Sequence, residues 1–61
     1  MFEIKILTKN DGEFTLKNLT EKETCEILAE AYECIAKEKE YITFKNRLVI
    51  EAVDLEAFYV L

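Results

Sequence analysis

The sequence predicts an α+β fold, an antiparallel sheet of order β-β-α-β-β-β with one helix packed on one face. Three observations predict it. Apolar and polar residues alternate on both sides of Asp11-Gly12, a stripe of helical period follows a capping signature at Thr20–Glu23, and alternation resumes on both sides of Asn46. Hairpins flanking a single helix make two antiparallel-sheet-and-helix layers the economical arrangement. Residues 1-61 read as a single α+β domain, since no linker, repeat or low-complexity stretch divides them.

Phe2, Ile4 and Ile6 alternate with Glu3 and Lys5, the period of a strand with one buried face. Asn10-Asp11-Gly12 then provides the positive-φ propensity of a tight turn, and Phe14 and Leu16 alternate with Glu13, Thr15 and Lys17 in a returning strand. Thr20-Glu21-Lys22-Glu23 fits the capping box, so a helix begins at Glu21. At 100° per residue, Thr24, Ile27, Leu28, Ala31, Cys34 and Ile35 fall within an arc of about 120°. Lys22, Glu26, Glu30, Glu33 and Lys37 gather on the opposite face, with Glu33 and Lys37 in the favourable i,i+4 order. Glu38 would point inward, which ends the helix between Lys37 and Glu40. Tyr41 to Phe44 alternates again, Lys45-Asn46-Arg47 reads as a turn, and Leu48 to Ala52 returns from it. Val53 and Asp54 interrupt the pattern, and Leu55 to Leu61 reads as a last strand because aromatic and β-branched residues crowd it.

Composition removes several classes of chemistry. The chain has no His, Ser, Gln, Trp or Pro and a single Gly, so it cannot assemble a Ser-His-Asp triad, a Cys-His dyad, a His-ligated metal site or a phosphate-cradling glycine loop. We therefore expect no enzymatic activity, no cofactor and no metal. Cys25 and Cys34 are nine residues apart on one helix, about 13 Å of rise. A disulfide needs Cα atoms roughly 4.4–6.8 Å apart, so the two cannot bridge within that helix. Cys34 lies on the apolar stripe as a small buried residue, and Cys25 lies near its edge with no histidine to act as its base. The net charge of −5 opposes direct nucleic-acid binding. The segment Met1 to Leu7 has one Lys and no long apolar run, so neither a signal peptide nor a membrane span is expected there. A cytoplasmic protein with reduced thiols is the expectation.

A chain of this length buries only about 60% of its unfolded surface, so one core is marginal and needs a supplement. With disulfide and metal set aside, self-association is left. If the helix covers Phe2, Ile4, Ile6, Phe14, Leu16, Ile42, Phe44, Leu48 and Ile50, the other face carries Leu7, Tyr41 and Val49 among its polar residues. In the last strand, either Leu55, Ala57, Tyr59 and Leu61 or Phe58 and Val60 must then point away from the helix. The apolar run reaches Leu61 with no polar residue after it, which leads us to expect that end to be held in a sheet. The expectation is a homodimer or higher oligomer joined through the last strand and the open sheet face, involving Tyr41, Val49, Leu55, Ala57, Tyr59 and Leu61. The plainer alternative is a curled sheet with the last strand at its centre.

The function expected is a small non-enzymatic protein-interaction module. Its Lys-, Glu- and Ile-rich composition is similar to that of small accessory proteins of AT-rich bacteria and their phages, a likeness of composition that carries no motif. Glu26, Glu30 and Glu33 form a carboxylate row that could meet a partner with a basic surface, although such a row is ordinarily a solvated helix face. The alternative function is an acidic nucleic-acid mimic that inhibits a DNA- or RNA-binding protein. Tyr32, Tyr41 and Tyr59 are further candidates for partner contact, as half-buried tyrosines are enriched at interfaces.

Overall fold

The computed structural model describes Met1–Leu61 in the predicted element order. The elements are β1 (Phe2–Thr8), β2 (Glu13–Leu19), α1 (Glu21–Ala36), β3 (Tyr41–Thr43), β4 (Val49–Glu51), a 3-10 turn (Ala52–Asp54) and β5 (Leu55–Val60). All strand pairs are antiparallel, and they divide between a three-stranded sheet of order β2-β1-β5 and a separate β3-β4 hairpin. The alternation that signals a strand is the same in either case, so sequence periodicity does not reveal that division.

Gly12, at φ +82, closes the first hairpin, where the Thr8 N–H donates to the Gly12 carbonyl at 3.0 Å. Thr20 caps α1 as the sequence signature requires. Its Oγ1 accepts from the Glu23 N–H at 3.1 Å, and the Thr20 N–H donates to Glu23 Oε1 at 2.9 Å. The helix ends at Ala36 with Lys37 as its cap and Glu38 in the left-handed region at φ +54. The Glu38 N–H donates to the Ile35 carbonyl and the Lys39 N–H to the Cys34 carbonyl, the two bonds of a Schellman ending. Lys45 and Asn46 both have positive φ, as a type I′ turn needs, and the Phe44 carbonyl accepts from the Arg47 N–H at 3.1 Å.

The core lies between α1, the three-stranded sheet and the hairpin, and consists of Ile4, Ile6, Leu19, Ile27, Ala31, Cys34, Ile42, Phe44 and Ile50. Thr24, Ile27, Ala31 and Cys34 of the helical stripe are buried, as the wheel predicts. Ile35 of that stripe is 43% exposed, and the first hairpin differs from simple alternation at Phe2 and Leu19. Phe2 is 39% exposed, and Leu19 is fully buried. The cause is a register shift: Phe2 pairs with Leu19 but Ile4 pairs with Leu16, so β2 holds one residue more than β1 across that step. Asn18 absorbs it at φ +58, and the extra residue turns Leu19 inward just before the helix starts. No helix is long and apolar enough to cross a membrane.

Candidate interaction surface

β1 is the centre of its sheet, which leaves β2 and β5 as edges. The two edges differ. β2 carries Glu13 and Lys17 and is distorted at Asn18, the features by which natural edge strands resist further pairing. β5, with sequence Leu-Glu-Ala-Phe-Tyr-Val, has one charge, no proline and a bulge only at its start. No other strand pairs with its outer edge.

The ladder phase identifies which β5 backbone groups face outward. Leu61 donates its N–H to the Glu3 carbonyl at 2.9 Å, and Lys5↔Tyr59 and Leu7↔Ala57 continue in the same register. In an antiparallel ladder, bonded and non-bonded pairs alternate. Ala57, Tyr59 and Leu61 therefore bond to β1, whereas the N–H and C=O of Phe58 and Val60 point away from it. Neither residue's backbone has a partner on that side within the chain.

Side chains follow the opposite logic. Phe58 and Val60 lie on the same sheet face as Ile6 and Ile4, under the helix. The Phe58 ring is 5.0 Å from that of Tyr32 and 5.5 Å, edge-on, from that of Phe44. Beside it lies an open groove of about 580 Å³, whose apolar lining includes Ile35, Ile42, Leu55 and Phe58, with Glu38, Lys39 and Glu56 on its walls. Ile35 and Val60 are 43% and 39% exposed.

The six residues expected to self-associate fall into three places. Ala57, Tyr59 and Leu61 are exposed on the far face of the three-stranded sheet, beside Lys5 and Leu7. That face is mixed in character, because Lys5 pairs with Glu13 at 2.9 Å across it. Leu55 does not join them. The register shift at Glu56 rotates it to the core side, where it lines the groove. Tyr41 and Val49 lie exposed on the β3-β4 hairpin, in the other sheet, along a depression shared with Phe14 and Leu48.

The carboxylate row is divided among different tasks. Glu30 turns toward the hairpin, its Oε2 accepting from the Thr43 hydroxyl at 2.8 Å and the Lys45 N–H at 2.6 Å. The Lys45 N–H and then the Thr43 hydroxyl hold the Glu30 carboxyl below its ordinary pKa. Glu33 pairs with Lys37 at 2.7 Å, and Glu26 stands exposed. Glu23, besides capping the helix, reaches Arg47 at 2.8 Å. Cys25 is exposed and Cys34 buried, with its Sγ 3.6 Å from Thr43 Oγ1.

Periodicity missed the groove and the outward backbone of Phe58 and Val60. Ile35 was legible as an apolar helical residue, and Phe58 and Val60 as one of two alternating sets. Their convergence depends on β5 being an edge, a fact of strand order. Comparison with protein-family models, curated proteins and solved structures finds no match for this chain.

Proposed function

We propose that the chain is a small non-enzymatic protein-interaction module that self-associates through the outer edge of β5. The observation that carries this reading is the unguarded edge itself: outward N–H and C=O groups on Phe58 and Val60, without a partner, on a strand with the single charge Glu56. Exposed backbone of this kind is a template for strand addition, which provides main-chain hydrogen bonds while flanking pockets receive side chains. The groove beside Phe58 offers such a pocket. The acidic-mimic reading draws less support, because Glu30 is tied to the hairpin and Glu33 to Lys37, which breaks the row of free carboxylates.

Sedimentation equilibrium from about 5 to 500 μM tests the proposal. The expected result is a concentration-dependent rise from 7.2 kDa toward twice that mass. Val60→Pro removes one outward N–H and leaves the bonds to β1 in place, so it is expected to shift the protein to monomer with its circular dichroism retained. Val60→Lys, which keeps the backbone donor but places a charge at the edge, is expected to do the same. Monomer at every concentration in the unmodified protein overturns the proposal.

A further inference from the structure

Building on self-association through β5, we infer that two copies join edge to edge about a twofold axis normal to the sheet, with Tyr59 facing the partner subunit's Tyr59. Phe58 then lies opposite the partner's Val60, and six strands form one continuous antiparallel sheet.

Two registers use the outward groups of Phe58 and Val60, and the structure separates them. With Tyr59 on the axis, Phe58 and the partner's Val60 form a hydrogen-bonded pair, as do Val60 and the partner's Phe58. All four outward N–H groups and all four outward C=O groups are satisfied by each other. With Phe58 on the axis instead, Val60 must bond across to the partner's Glu56. Glu56 sits at the register shift where Leu7 pairs with Ala57 but Thr8 pairs with Leu55, so its backbone is out of step with a regular ladder. That register would also bring the only carboxylate of the strand against an apolar residue.

Side-chain positions favour the same choice. Phe58 and Val60 project toward the helix, so the partner's Val60 arrives beside Phe58 at the lip of the groove lined by Ile35 and Leu55. The two Tyr59 side chains meet on the far face in a non-hydrogen-bonded pair, where Cβ atoms come within about 4.5–5.5 Å and aromatic pairs are favourable. Glu56 stays outside the paired block. Because the axis is normal to the sheet, both helices remain on one side of it. The occupant is thus a second copy, since this pairing sets Phe58 against Val60 and Tyr59 against Tyr59 with no charge inside the paired block. The β2 edge differs in being broken by a register shift with Asn18 at φ +58 and in carrying Glu13 and Lys17.

Disulfide trapping tests the register. In a Cys25→Ala background, which removes the exposed native thiol, Tyr59→Cys is expected to give mostly covalent dimer when two thiols are oxidised to one disulfide by oxidised glutathione. Ala57→Cys is expected to give little, because the proposed register sets the two Ala57 positions about 13 Å apart along the strands. Retained far-ultraviolet circular dichroism and reversible dimerisation under reducing conditions establish that each variant is folded. A reversible dimer that links only when Ala57→Cys and Tyr59→Cys chains are mixed, or not at all, overturns this register and leaves self-association standing. A monomer at all concentrations overturns both.

Discussion

Left-handed residues separate backbone cost from packing cost. At Gly12, φ is +82 and an added Cβ would meet nothing within 4 Å, so Gly12→Ala tests conformation alone. The expected loss is about 1 kcal/mol, the usual cost of an L side chain in that region. Glu38 presents the reverse case, a non-glycine residue at φ +54 where Schellman endings favour glycine. Glu38→Gly is expected to gain about 0.5 kcal/mol, because relief of strain is partly offset by the greater freedom of glycine in the unfolded chain. Urea midpoints of the three proteins check both signs, and a Glu38→Gly protein less stable than the parent would contradict the argument. Gly12 and Asn46 announced their turns in sequence because their chemistry favours positive φ. Asn18, Glu38 and Lys45 adopt it with no such announcement of place, since a bulge, a helix ending and a hairpin impose it from outside.

Between elements, two carboxylates join the helix and hairpin, Glu23 through Arg47 and Glu30 through two hydrogen bonds. Glu30 accepts from Thr43 and Lys45, 13 and 15 residues further along the chain, so a sequence reading that places Glu30 on the solvated side of the wheel has no means of finding its partners. The capping box was legible for the opposite reason, as its donors and acceptors lie within three residues. The tie has a pH consequence. Hydrogen bonds from the Lys45 N–H and Thr43 hydroxyl lower the folded pKa of Glu30, and bonds to Thr20 do the same for Glu23. A lowered folded pKa contributes stability that is present above the unfolded value, about 4.3, and is lost as pH falls through the folded value. Asp54 acts in the same direction, its carboxylate bonded by Asp11 and by Asn10. Asp11 acts oppositely, since its hydrogen bond with Asp54 and the Asp54 charge raise its pKa. The urea midpoint is therefore expected to stay level from pH 8 to 6 and to decline below about pH 5. Glu30→Gln should lower the midpoint at pH 7 and make the decline shallower. An unchanged pH profile in Glu30→Gln would show that its bonds to the hairpin do not distinguish the charged from the neutral form.

At the scale of the whole molecule, net charge and edge pairing oppose each other, and salt tells them apart. Each copy has a net charge of −5, so joining two copies brings like charge together, while the β5 edge contributes apolar side chains, backbone hydrogen bonds and only Glu56 as a charge. Repulsion of this kind is long-ranged and is screened over about 10 Å at 0.1 M salt and about 3 Å at 1 M, whereas the strand-to-strand bonds lie in direct contact and respond little to added ions. The dimer dissociation constant is therefore expected to fall as sodium chloride rises from about 20 mM to 0.5 M, by severalfold, when followed by sedimentation equilibrium at pH 7. Binding between folded copies also stabilises the native state by mass action, so the thermal midpoint should rise with protein concentration, and more steeply at high salt. The sign is diagnostic. An oligomer held by ion pairs between the acidic helix and basic side chains would loosen as salt rises. Weakening in salt would therefore place the contact on the charged surface and remove it from β5.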